Sequence, residues 1–333
     1  MTVTGVSARD DHLSRLTGPH GLFEHACFDE PRRNEGYTLD DNARAVVVTI
    51  MTTREPSRAD LEPYLGFLMS APTPAGWHNR MSESGDWVDD SGPDDTCGRA
   101  FWGLGALAEA RLHDDFAVEL LSRVTSFETP HLRSLAYAML GAAAALRAGV
   151  LESAMEAFLV AALRRIPSPT SPRWAWPEGR LTYANGRIPQ AIIAAGALVD
   201  DTALLMGLDL LHWLIETERG KNGFSFTPVG GWEPGEPRPG FDQQPIEAWA
   251  MSDACATAFA VDCDELWRNS ARMAAEWFQG ENDTGIALYD PHTGGGYDGL
   301  HVDGVNQNQG AESTLAALGA LAGWEGLEAT ACG

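Results

Sequence analysis

Acidic residues recur in this chain where polar loops run into alanine-rich apolar segments. Asp40 and Asp41 sit in "GYTLDDNARAVVVTI", Asp94 and Asp95 open "DDTCGRAFWGLGALAEA", and Glu178 lies in "WAWPEGR". Asp242 and Glu247 flank the start of "QQPIEAWAMSDACATAFAV", while Asp298 and Glu312 bracket the approach to "NQNQGAESTLAALGALAGW". Carboxylates that face each other with split proton affinities suit glycosidic bond cleavage. One protonates the leaving oxygen while the other activates water or attacks the anomeric carbon. Asp41, Asp95, Glu178, Asp242, Glu247 and Glu312 form the candidate catalytic pool.

The same spacings also serve helix caps. Thr38 with Asp41, and Ser91 with Asp94, have the separation of a capping box, and Pro245 with Glu247 has the pattern of a first helical turn. Capping leaves Glu178, Asp242 and the amides beside them without a role.

Those amides, with aromatic and guanidinium groups on the same loops, suit recognition of a sugar. Hydroxyls want paired donors and acceptors, and the C–H faces of the rings stack on aromatic planes. The candidate substrate-binding residues are His20, Tyr37, Asp40, Arg44, Asn79, Arg80, Trp87, Arg99, Trp176, Tyr183, Asn185, Gln243, Gln244, Tyr297, Asp298, Asn308 and Gln309. For the aromatics, packing of loops over the core is the competing reading. His20, His25, His78, His131 and His301 are scattered, with no HExxH and no Cys/His pair at ligand spacing, so no metal is expected. There is no Gly-rich phosphate loop and no GxSxG elbow for a serine nucleophile, and no cofactor is expected.

The elements that must hold these groups follow from the apolar pattern. Six Ala-rich segments, beginning near Gly36, Asp94, Pro130, Tyr183, Gln243 and Asn306, are apolar on nearly every face and predict buried helices. Amphipathic segments alternate with them at Asp60 to Met69, Phe116 to Val124, Leu151 to Arg165, Asp201 to Glu218 and Cys263 to Phe278. A short N-terminal helix from Arg9 to Leu16 makes six. Six buried and six half-exposed helices in alternation predict an all-α (α/α)6 toroid with short local β-hairpins in its loops, as one domain over residues 1–333. "FSFTPV", Phe224 to Val229, reads as a local strand. Every polar loop precedes an inner helix, so parallel inner helices gather these loops, and their own positive N-terminal ends, into a cup at one end of the ring.

Composition narrows the partners. The 333 residues carry a formal net charge of -24, which argues against nucleic acid or an anionic membrane surface as partner. No apolar run approaches the roughly 18 residues of a membrane span. Five cysteines without metal spacing predict reduced, mostly buried thiols, and the absence of a signal-like N-terminus points to the cytoplasm.

In block order, "GYTLDDNARA", "HNRMSESGDWVDDSGPDDTCGRAFWGLG", "WAWPEGRLTYANGRIPQA", "FDQQPIEAWAMSDAC", "LYDPHTGGGYDGL" and "NQNQGAESTLAAL" resemble a group of bacterial glycoside-hydrolase-like (α/α)6-barrel proteins. Members of that group are often labelled glycosyltransferases and occur beside glycosyltransferases or mannoside phosphorylases. The resemblance spans nearly the whole chain and implies a sugar site at Asp40, Asp41, Asn42, Arg44, Asp95, Gly98 and Arg99. It continues through Glu178, Tyr183, Asn185, Asp242, Gln243, Gln244, Glu247, Asp298, Asn308, Gln309 and Glu312. Where relatives can carry an acid between the tyrosine and asparagine of "YANG", this chain has Ala184. The chain also lacks a nucleotide-binding α/β domain.

The leading expectation is a glycoside hydrolase acting on an oligosaccharide, inverting by analogy with other toroidal glycosidases. A glycosyltransferase is its expected pathway neighbour. Two rivals stand beside it: a sugar epimerase or isomerase moving protons with histidines such as His20, His131 or His301, and a non-catalytic carbohydrate-binding subunit.

Overall fold

The structure is a computed structural model and describes residues 12–74, 76–169, 171 and 173–329. Among the described residues, eleven helices from Leu39 onward alternate between two rings. The inner ring is α1 (Leu39–Thr52), α3 (Asp94–Glu109), α5 (Leu132–Arg147), α7 (Arg187–Val199), α9 (Pro245–Asp262) and α11 (Ala311–Ala329). The outer helices are α2 (Arg58–Ser70), α4 (Asp115–Ser122), α6 (Glu152–Leu163), α8 (Asp201–Glu218) and α10 (Glu265–Glu276). Each inner helix packs on the next, and α11 returns to α1, so the ring closes as an (α/α)6 toroid. Residues 12–16 are helical, and the rest of the expected N-terminal helix lies outside the described residues.

Inner and outer helices differ as their sequences require. In α5 every residue from Leu132 to Ala145 is buried, whereas α8 buries the spaced set Ala203, Gly207, Leu210, Leu211, Leu214, Ile215 and Glu218. The first is a helix covered on all sides and the second has a single apolar stripe. Small residues set the distance between inner helices. A β-carbon on Gly105 would stand 2.2 Å from the carbonyl oxygen of Gly141, and one on Gly141 would stand 2.1 Å from that of Phe101. Thus α3 and α5 pack almost backbone to backbone.

Short antiparallel strand pairs decorate the loops: Thr17–Gly18 with Gly21–Leu22, Ala26–Cys27 with Glu30–Pro31, Tyr37–Thr38 with Arg80–Met81, and Gly299–His301 with Gly304–Asn306. The "FSFTPV" segment is not a strand. Phe224 and Phe226 stack at 5.1 Å in the core, and the backbone N–H groups of Phe226 and Thr227 are taken by the Gln243 and Glu218 side chains at 3.1 Å each. Side-chain acceptors thus take N–H groups that a neighbouring strand would need. The expectation of reduced, mostly buried cysteines also needs correction, for Cys27 is exposed and Cys97 only half-buried. Cys27, Cys97 and Cys255 are free thiols, but Cys263 is exposed at the end of α9 and disulfide-bonded.

Candidate active site

The N-terminal turns of the inner helices face a cup with two polar lobes. The first, of about 390 Å³, is lined by Asp40, Asp41 and Arg44 of α1, Glu312 of α11, and Gln244 just before α9. Glu24, His25, Asn79, Arg80 and Asp298 close it from the loops. The second, of about 520 Å³, is lined by Asp94 and Asp95 of α3, His131 and Arg133 at the start of α5, and Glu178 and Tyr183 from the loop before α7. Asp40 and Arg99 line both lobes and form the ridge between them.

Arginines anchored in the inner helices hold the carboxylates in place. Arg44 donates to Asp41 at 2.7 Å and to Glu312 at 2.6 Å. Arg99 pairs with Asp40 at 3.3 Å and Asp95 at 3.6 Å, with its guanidinium over the Tyr137 ring. Arg133 donates to Glu178 at 2.7 Å and to the Asn185 side chain at 2.9 Å, and also to the Tyr183 carbonyl. Arg80, at the rim, grips Glu24 with contacts of 2.7 and 2.8 Å.

These surroundings split the acids. Burial pushes Asp41 up to about 6 against the pull of Arg44 and the Thr38 hydroxyl. Burial also raises Asp298, with the nearby Glu312 charge adding to it, while the Gly310 N–H, the Ser313 hydroxyl and His25 act the other way. Asp95 goes down: burial works against its charge, but Arg99, Ser134, Tyr183 and Arg133 together prevail. The Tyr183 phenol, donating to Asp95, is raised by burial and by that carboxylate. Glu312 remains open to the cup, with 39 % of its side chain exposed, and Glu178 with 29 %.

The capping reading and the catalytic reading divide these acids. Asp41 is held by the cap it makes: Thr38 donates to its carboxylate at 2.7 Å and accepts from its N–H at 3.3 Å. Asn79 caps the same helix, accepting from the N–H groups of Leu39 at 3.1 Å and Asp40 at 3.4 Å. Glu247 lines neither lobe. Buried at the start of α9, it accepts from the backbone of Ala184 and from the backbone and side chain of Asn185, so it orders the turn into α7. Burial, with the charge of Glu218, raises its carboxyl.

Several other sequence candidates also stand away from the two lobes. Asp242 is exposed and bound to His301. Gln243 is fully buried, donating to Asp283 at 2.6 Å and to the Gly240 carbonyl at 2.7 Å. Gln309 accepts from Thr293 at 2.8 Å, and Asn308 from the Phe28 N–H at 3.0 Å. Tyr37 is buried against Phe23 at 4.3 Å, and His20 touches its edge from the surface. Trp87 stacks on His78 at 4.8 Å, and the Tyr297 hydroxyl turns to Asp290 at 3.3 Å. Trp176 is buried on Trp213, with its N–H 3.3 Å from Glu178. Asn185 is buried under Arg133. Most of the aromatics thus pack loops, and their polar tips hold neighbours in place.

Arg133 escaped the sequence reading. Its signal was available: like Arg44, Arg99 and Arg187, it is a lone cation in the first turns of an apolar helix, and a buried cation requires an acidic partner.

No family model and no curated protein matches this chain. Solved structures do. A sugar epimerase from a ruminal bacterium superposes with a TM-score of 0.70 at 11 % identity, over 96 % of this chain and 99 % of that one. A D-mannose isomerase gives 0.70 at 11 % identity, over 98 % and 96 %. The GH76 α-mannanase of Bacteroides thetaiotaomicron gives 0.65 at 11 % identity, over 96 % of each. At such identities the likeness is one of fold.

Proposed function

We propose that this chain is a glycoside hydrolase whose substrate lies across both lobes of the cup. The observation that carries the reading is the pair Asp298 and Glu312, which open on one lobe in unlike surroundings. Asp298 is half-buried and raised, so it serves as the proton donor. Glu312, gripped by Arg44 and open to the cup, serves as the base. Asp298 gives its proton to the leaving oxygen as the bond to the anomeric carbon breaks. Glu312 takes a proton from the water whose oxygen replaces it. Asp95 and Glu178 then orient the sugar in the second lobe. The fold neighbours support a sugar-acting enzyme in general, since their names include a mannanase beside epimerases and an isomerase.

A second reading, sugar epimerisation or isomerisation, rests on the higher TM-scores of those neighbours and on His25 and His131, one in each lobe. An NMR time course on α- and β-linked gluco-, manno- and arabino-oligosaccharides separates the two. Hydrolysis gives new anomeric protons from a cleaved linkage, and their α or β form distinguishes inversion from retention. Epimerisation instead brings solvent deuterium to C2 of an uncleaved sugar. If every linkage survives and deuterium enters, the hydrolase reading falls.

A further inference from the structure

The charges of the cup say what kind of sugar it can take. Its two lobes are lined by eight acidic side chains, the proton donor Asp298 among them, and four guanidiniums. Every one of those guanidiniums is already matched to an acid: Arg44 to Asp41 and Glu312, Arg80 to Glu24, Arg99 to Asp40 and Asp95, and Arg133 to Glu178. Helix N-termini normally invite anions, and six of them converge here. Three of the six inner helices, however, carry acids that line the lobes in their first turns: Asp40 and Asp41 in α1, Asp94 and Asp95 in α3, and Glu312 in α11. The N–H groups of the turn leading into α7 are already taken by the Glu247 side chain, and Glu178 lies against Arg133 in the first turn of α5. An incoming anion would have to displace a carboxylate from its arginine and then stand beside it. Like charges brought together in this way repel, which weakens binding of an anion relative to a neutral ligand.

We infer that the cup takes an uncharged glycan and excludes both acidic sugars and phosphate, so that water and not phosphate receives the cleaved glycosyl group. This rests on the proposed sugar-cleaving role of the same site. An uncharged ring meets the cup with hydroxyls alone, which the excess of carboxylate oxygens can accept without a change of partner. Phosphate as acceptor would need an unmatched cation at the cleavage point, and among the described residues lining the lobes every arginine is matched. His25 does not fill that place, since it sits between Glu24 and Glu35 at 3.6 and 2.8 Å.

The test compares cellobiose and mannobiose with digalacturonate and inorganic phosphate. Saturation-transfer NMR and calorimetry on the whole protein at about pH 8 would measure binding of each. The expected result is binding of a neutral disaccharide, with digalacturonate and phosphate at least about tenfold weaker. A second arm uses Glu24→Gln, which frees Arg80 at the rim. That variant is expected to bind phosphate at least about tenfold more tightly than the parent protein. Digalacturonate or phosphate binding as tightly as the neutral sugars, or an E24Q variant with no gain, overturns the inference while leaving a sugar-acting cup in place. If no sugar of either kind binds, the sugar-cleaving reading fails and takes the inference with it.

Discussion

Nη2 of Arg44 lies 2.6 Å from Oε2 of Glu312, an ion pair between residues 268 positions apart in the chain. It joins the first inner helix to the last at the point where the ring closes. The same guanidinium holds Asp41, a capping carboxylate, on its other side. One arginine therefore ties a stabilising acid to an acid that faces the cup, and the two should respond differently to mutation.

Glu312→Gln should lower kcat by about 10²-fold or more, as expected on removing a positioned base, with little change in the melting temperature. Asp41→Asn should do the reverse, lowering the melting temperature because its cap and its hold on Arg44 both weaken. Steady-state kinetics and thermal unfolding on the two variants check this, and equal kinetic losses would refute the assignment.

Asp298 as proton donor predicts a pH profile. Activity should fall as pH rises through the raised value of its carboxyl, because only the protonated form can donate. Whatever activity survives in Asp298→Asn should lack that alkaline limb. A limb that persists unchanged in the variant assigns it to another group.

Glu247 predicts a stability slope. Burial, with the charge of the neighbouring Glu218, raises its carboxyl, so the folded chain keeps a proton to higher pH than the unfolded chain does. That difference stabilises the fold fully below the ordinary carboxylate range and is lost as pH rises through the raised value. Glu247→Gln cannot ionise, so its urea midpoint should fall less across this range than that of the parent. It should also be less stable at acid pH, since its amide donors would face the Asn185 N–H. A parallel fall in both proteins would contradict this.

Beneath the cup, Arg187 is fully buried between the Trp102 and Trp249 rings, with its guanidinium 4.7 Å from each ring centre. It is paired to Asp253 at 2.6 Å. Asp253→Ala leaves that cation without its carboxylate and should cost about 3–5 kcal/mol in chemical denaturation. A loss below about 1 kcal/mol would mean that the rings and Gln190 hold the charge alone.

Gly105→Ala tests the close packing of α3 on α5. The new methyl would meet the Gly141 carbonyl at 2.2 Å, so backbones must part, at a cost of about 1–3 kcal/mol. Gly66→Ala on α2, where a β-carbon would find open space, should be neutral or mildly stabilising. Thermal melts of the two variants make the comparison.

Much of the fold is legible along the chain because burial on all sides and burial on one side leave different patterns. The run from Leu132 to Ala145 is apolar or small at nearly every position, and the structure buries all of it. The stripe of α8 recurs at threes and fours, and the structure turns that stripe inward. Where the reading failed, at "FSFTPV", the apolar alternation was real. The backbone N–H groups of Phe226 and Thr227 had found side-chain acceptors at Gln243 and Glu218 instead of a strand.

The acids and amides show the limit of the same approach. Their residue types, their crowding before the inner helices, and hence the existence of a polar cup followed from sequence alone, since helix starts gather at one end of a toroid. Only the tertiary structure decided which of them face the cup. Gln243 and Gln244 are adjacent, yet one is buried against Asp283 and the other lines the first lobe. Glu247 and Glu312 both stand in first turns, yet one is buried on the backbone of Ala184 and Asn185 while the other is open and paired with Arg44. Helical periodicity fixes the angle of a side chain about its own axis. What that side chain meets depends on partners far away in the chain, and only closure of the ring brings those partners within hydrogen-bonding distance.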